Sequence, residues 1–131
     1  MYYIGVCDDE REVCIQLADM VYAYDRQMNI GIDVSIWNTG EALYQDLRNH
    51  RPIDLLFLDI ELVSMDGIQI GRLIRTELAN QDISIAYISA KSSYAMELFK
   101  IHPIDFLVKP VSDQDVHETI EEALRLYKRS N

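Results

Sequence analysis

Asp8, Asp9, Asp59, Ser89 and Lys109 are the residues of this 131-residue chain whose types and positions could do chemistry together. Asp59 ends the run Leu55-Leu56-Phe57-Leu58-Asp59, four large apolar residues closed by a bare carboxylate. A continuous apolar run of this kind, following Arg51-Pro52, predicts a central strand buried on both faces. An aspartate at its carboxyl end lies where open α/β sheets place their ligands. Asp8-Asp9-Glu10 follows a second apolar run, Ser89 a third and Lys109 a fourth. Two like charges about 5 Å apart repel by about 3 kcal/mol at an effective dielectric of about 20, so Asp8, Asp9 and Asp59 need a cation if they meet. Hard oxygen donors with room for water suit Mg²⁺. The set matches what a phosphorylated carboxylate requires: a metal to neutralise the incoming dianion, Asp59 to attack phosphorus, and Ser89 and Lys109 to hold its oxygens. Each residue also has an ordinary reading. Asp8-Asp9-Glu10 could cap a helix, Asp59 could serve a turn, Ser89 could cap the next helix, and Lys109 could be solvated.

The elements that must position these residues follow from periodicity. Residues 2–7 (YYIGVC) predict a first strand, and Val13, Leu17, Met20, Val21 and Tyr24 form one apolar stripe of a helix. Residues 32–37 alternate as a less buried second strand, and 41–48 give a short helix with Leu43 and Leu47 inward. The central strand spans 54–58, and Asp66-Gly67 is a turn signal. Ile70, Ile74 and Leu78 mark a third helix, 83–88 a fourth strand, 92–100 a fourth helix, and 104–108 a last strand. Residues 113–128 form the final helix, capped by Ser112 or Asp113. Five strands alternating with five helices predict a parallel α/β sheet covered on both faces, in the flavodoxin-like order 2-1-3-4-5. That order brings Asp8, Asp9 and Asp59 to one edge. No repeat or linker divides the chain, so 1–131 is expected to be a single domain.

Composition narrows the function classes. The formal charge of −10, from 22 acidic and 12 basic residues, argues against direct nucleic-acid binding, which needs clustered Lys and Arg. No apolar stretch approaches a membrane span and no signal-peptide pattern precedes the first strand, so no membrane partner and a cytoplasmic location are expected. Cys7 and Cys14 lack the companions of a zinc site and are expected to be reduced and buried. A flavodoxin-like cofactor binder would want a Ser/Thr/Gly-rich phosphate cradle where Asp8-Asp9-Glu10 stands. An aspartyl-phosphate hydrolase would want a second Asp at position 61, which is Glu61.

At this point the chain resembles, over essentially its whole length, the receiver domain of two-component response regulators, with its CheY-like fold. The resemblance is carried by Cys7-Asp8-Asp9-Glu10, Leu58-Asp59-Ile60, Met65-Asp66-Gly67, Ile88-Ser89-Ala90 and Val108-Lys109-Pro110, in this order and spacing. It implies that Asp59 accepts a phosphoryl group from a sensor histidine kinase. It further implies that Mg²⁺ is held by Asp8, Asp9 and Asp59 and by the main-chain carbonyl of Glu61. Ser89 would be the switch hydroxyl and Phe106 the switch aromatic, with Lys109-Pro110 a cis peptide. Such a domain is a phosphoacceptor and not an enzyme, beyond gaining and losing its own phosphoryl group. Val63 departs from the family, standing where many receivers have proline. Ala86 to Ala90, Tyr94 to Phe99 and Ile104 to Leu107 are most similar to LytTR-type regulators, which continue into a DNA-binding domain controlling transcription. The charged helical ending Leu126-Tyr127-Lys128-Arg129 suits a cut in a linker, so an excised receiver with a C-terminal effector domain is expected, with a stand-alone or phosphorylation-independent interaction module as the alternative. Signal output is expected through the fourth helix, fifth strand and final helix, including homodimerisation there. Tyr94, Ala95, Met96, Leu98 and Phe99 are more apolar residues than one buried stripe needs, so some should reach a partner.

Overall fold

The computed structural model describes residues 1–130, and of residues 94–97, 99 and 130 it describes the backbone alone. Five parallel strands, β1 (Tyr2–Cys7), β2 (Ile32–Trp37), β3 (Leu55–Asp59), β4 (Ser84–Ser89) and β5 (Asp105–Val108), form one sheet in the order β2-β1-β3-β4-β5. Every strand is followed by a helical segment, which gives the long crossover that parallel pairing demands. These are α1 (Arg11–Met28), α2 (Gly40–Arg48), α3 (Gly67–Arg75), a 3₁₀ helix (Ser92–Ile101) and α4 (Asp113–Ser130).

The pleat of β3 explains why its sequence is apolar throughout. Leu56 and Leu58 pack with Leu43 and Leu47 of α2, Ile70 and Ile74 of α3, and Leu98 and Ile101 of the 3₁₀ helix. Leu55 and Phe57 point the other way, against Leu17, Val21 and Tyr24 of α1 and Val116, Ile120 and Ala123 of α4. The four apolar β3 side chains are wholly buried, each contributing about 2 kcal/mol of hydrophobic stabilisation. With both faces covered, the functional groups are left at the carboxyl ends of the strands.

Two expectations are corrected. The fourth helix is 3₁₀ and not α-helical, leaving four α-helices among the described residues. Leu98 and Ile101, three residues apart, are both buried, which suits a three-residue turn that brings i and i+3 onto one line. Over ten residues a sequence pattern does not separate this repeat from 3.6. Of the apolar residues singled out there, Leu98 is buried; the side chains of Tyr94, Ala95, Met96 and Phe99 lie outside the described residues. The third helix stops at Arg75, so Leu78 lies beyond it and packs on the core from the following loop. The Thr76 hydroxyl and N–H both close on the Arg72 carbonyl, at 2.7 and 2.9 Å, and Ala79 takes a left-handed φ of 48° that turns the chain toward β4.

Candidate functional site

The carboxyl edge of β1 holds its first acid rigidly. The Asp8 N–H still pairs with the Trp37 carbonyl of β2 at 3.1 Å, and the side chain is fully buried. The Asp8 carbonyl accepts from Asn38 Nδ2 at 3.1 Å and from the Cys14 thiol at 3.3 Å. Oδ1 accepts the Glu10 N–H at 2.9 Å. Asp9 and Glu10 are exposed, and one carboxylate oxygen from each of Asp8, Asp9 and Glu10 lies within 4.8 Å of the others. Helix capping does not account for this group, because Glu10 occupies the N-cap of α1 without a side-chain cap bond.

Asp59 is carried to the same edge by β3, which pairs with β1 on one side and β4 on the other. It is 1% exposed. Its Oδ1 accepts the Glu61 N–H at 3.2 Å, and its Oδ2 lies 3.6 Å from Lys109 Nζ. Burial foremost, and then the Asp8 charge, push the Asp59 carboxyl up to about 6, against the pull of Lys109 and the Glu61 N–H. Lys109 joins the acids: Nζ is 2.9 Å from Asp8 Oδ2, 3.5 Å from Glu10 Oε1 and 3.6 Å from Asp59 Oδ2. Burial pulls the Lys109 ammonium down, but the Asp8 hydrogen bond and the Asp59, Asp8 and Glu10 charges outweigh it, so its affinity for the proton rises. The Lys109-Pro110 peptide is cis, and the Lys109 N–H donates to the Ser89 carbonyl at 2.9 Å.

Glycine brings the following loop against the phosphoacceptor candidate. A Cβ on Gly67 would press on the Asp59 carbonyl and lie 2.8 Å from Ile60 Cα. The Gly67 N–H instead donates to the Ile60 carbonyl at 2.9 Å, and the Tyr87 hydroxyl donates to the Gly67 carbonyl at 3.0 Å. Asp66 then caps α3 through a reciprocal pair with Gln69. Val63 is exposed.

Ser89 is fully buried at the end of β4, one residue past the partner of Asp59. Its Oγ accepts the Lys91 N–H at 2.9 Å and donates to Glu61 Oε1; the Ala90 N–H donates to that same oxygen at 3.1 Å. Phe106, opposite Tyr87 on β5, is half-buried against the core.

The donor set fits a hard divalent cation. Among the described residues, Asp8, Glu10 and Asp59 share the Lys109 ammonium at this edge, and Asp9 lies with Asp8 and Glu10. Asp8 Oδ2 is buried and faces the Lys109 ammonium at 2.9 Å. The grouping differs in detail from the sequence expectation. Glu10 joins Asp8 and Asp9, while Asp59 reaches Asp8 through Lys109. Two roles escaped sequence reasoning: Glu10 beside Lys109, and the Glu61 side chain on Ser89. The signal for the second was an acid two residues past Asp59, a position read for hydrolase chemistry and for its main-chain carbonyl but not for its side chain.

A family model described as response regulator receiver domain matches residues 4–121. The chain belongs to the response regulator receiver family. The receiver is 30% identical over 112 residues to the sensory transduction protein LytT of Oceanobacillus iheyensis, covering 86% of this chain and 44% of that protein. It is 28% identical over 131 residues to LytT of Bacillus subtilis, covering 100% and 50%. The chain thus spans about half the length of the curated relatives it matches, and the resemblance to LytTR-type regulators holds. The receiver domain of mrkE from Klebsiella pneumoniae superposes with a TM-score of 0.83 at 19% identity, over 97% of this chain and 98% of that one. A CheY-like receiver from Methanospirillum hungatei gives 0.85 at 17% identity, over 100% and 99%. At these identities the structural likeness speaks to the fold, which is the receiver fold. No helix among the described residues is long and apolar enough to cross a membrane.

Proposed function

We propose that this receiver is a phosphorylation-driven switch in which Asp59 takes a phosphoryl group from the phosphohistidine of a sensor kinase. The observation that carries this reading is the Lys109 ammonium lying between two buried carboxylates, Asp8 at 2.9 Å and Asp59 at 3.6 Å. A buried carboxylate shifted by burial and a neighbouring acid, with a lysine against it, marks a candidate functional site as well as an ion pair. With its carboxyl near 6, Asp59 is mostly ionised at neutral pH and able to attack. In the transfer, an Asp59 oxygen bonds to phosphorus while the P–N bond breaks, its electron pair remaining on the imidazole of the donor. Lys109 holds an oxygen of the arriving group, and Ser89 would hold another. Asp8, Asp9 and Asp59, with the Glu61 main-chain carbonyl, would hold Mg²⁺, and Glu10 stands close enough to assist. When bound, the metal supplies charge neutralisation for the dianion. A cleft of about 270 Å³ beside Lys109, lined by Val13, Leu17, Met20, Pro110 and Val111, offers the donor protein an apolar contact next to the lysine.

The output follows from the same edge. Capture of Ser89 by the phosphoryl group, with Phe106 turning inward, would reshape the face formed by the 3₁₀ helix, β5 and α4, a two-state element biased by a local charge. That face would mediate dimerisation or contact with a C-terminal DNA-binding effector, placing the switch in transcription control in the cytoplasm. Intact-mass measurement with acetyl phosphate and Mg²⁺ tests the first step. One phosphoryl mass on the wild type and none on Asp59→Asn is expected; equal uptake by both, or none by either, overturns it.

A further inference from the structure

The Glu61 side chain engages the hydroxyl of Ser89, the group that the proposed function assigns to a phosphoryl oxygen. One carboxylate oxygen, Oε1, receives both the Ser89 hydroxyl and the Ala90 N–H at 3.1 Å. The direction of the hydroxyl is set by its other neighbour. The Lys91 N–H donates into Ser89 Oγ at 2.9 Å, so the serine proton is free to go to Glu61. Ser89 is fully buried, which leaves its proton shared with no solvent while Glu61 is in place. Glu61 itself is half-buried and sits in the loop after β3. Two donors converging on one anionic oxygen at the sheet edge that carries Asp59 are the arrangement that stabilises oxyanions.

We infer that Glu61 is an internal stand-in for the phosphoryl group, a carboxylate latch that engages the switch serine and the Ala90 amide in the resting receiver and must release both before a phosphoryl oxygen can be gripped. The inference rests on the phosphoacceptor reading of Asp59 and adds a regulatory residue to it. A structural role alone makes the opposite prediction. If Glu61 served only to satisfy buried donors, its removal would loosen the site and slow phosphorylation. As a latch, its removal frees two donors and speeds it. Hydrogen bonds to a charged acceptor are among the stronger ones, so about a tenfold change is expected.

The test is a double-mutant cycle on the full chain, following the phosphoryl mass on Asp59 with acetyl phosphate and Mg²⁺. Glu61→Ala is expected to accelerate uptake about tenfold and to slow loss of the group. In a Ser89→Ala background the same replacement should give less than about threefold, because the main target of the latch is gone. Glu61→Gln, which keeps an acceptor oxygen, should fall between wild type and Glu61→Ala. Independently of activity, the Ala90 amide proton resonance of the metal-free, donor-free chain should move upfield in Glu61→Ala, reporting loss of a charged acceptor. Equal acceleration in both serine backgrounds would reduce Glu61 to a bulk charge effect and overturn the latch, as would slower uptake or an unmoved Ala90 amide. Absence of any phosphoryl mass on wild type is a different result: it overturns the phosphoacceptor reading, and the latch falls with it.

Discussion

Replacing Asp59 by asparagine is expected to stabilise the metal-free receiver at neutral pH, although it removes the proposed phosphoacceptor. The folded carboxyl titrates near 6 against an ordinary value of 3.8. The gap of about two pH units, at about 1.4 kcal/mol each, corresponds to about 3 kcal/mol. Its sign is unfavourable to the fold. Between pH 3.8 and 6 the native state holds a proton that the unfolded chain has released, so stability falls as pH rises through that window. Above 6 the whole penalty is in place. Asparagine carries no charge there, retains an oxygen for the Glu61 N–H, and leaves Lys109 paired with Asp8 at 2.9 Å. Urea denaturation in EDTA should therefore show Asp59→Asn more stable than wild type by up to about 3 kcal/mol at pH 7, with the difference vanishing toward pH 4. Added Mg²⁺ should narrow the difference at pH 7 if, as proposed, Asp59 helps to hold it in the native state. A variant no more stable than wild type at pH 7, or a difference that ignores pH, would refute the argument that burial and the Asp8 charge set the behaviour of Asp59.

Two further outcomes follow from the same geometry. Lys109→Met strips the cation from two buried carboxylates and is expected to cost about 3 kcal/mol at pH 7 without metal, a loss that shrinks as pH falls and Asp59 protonates; a thermal melt series in pH with and without Mg²⁺ reads this, and a loss that Mg²⁺ leaves untouched would count against it. Cys7 and Cys14 are both buried, and burial, followed by neighbouring negative charge, pushes the Cys7 thiol up strongly and Cys14 to about 11. Neither should react with a thiol reagent at pH 8 in the folded chain, and both should react at once in denaturant; a stoichiometric native reaction would show that the β1 edge opens readily.

The alternation of strands and helices, the sheet order and the identity of the converging residues were determined by the sequence alone. Binary patterning is a local property: Leu55 to Leu58 are apolar because both sheet faces are covered, and the stripes on α1 and α4 repeat at the helical period. The chain order of parallel strands then places their carboxyl ends together, so Asp8, Asp59, Ser89 and Lys109 could be gathered before any contact was known. Element ends were less legible. Leu78 keeps a helical spacing but lies past the Thr76 cap, and a ten-residue pattern did not distinguish 3₁₀ from α at Leu98 and Ile101. Which acid does what was decided only by the tertiary structure. Glu10 and Glu61 stand out in sequence as acids near the strand ends, but their side-chain partners come from reach across loops. Glu10 meets Lys109 across the edge from β1 to β5, and Glu61 crosses from the end of β3 to the buried hydroxyl of β4. Hydrogen bonds and ion pairs between loops depend on ångström-scale placement, and no periodicity in the chain encodes that.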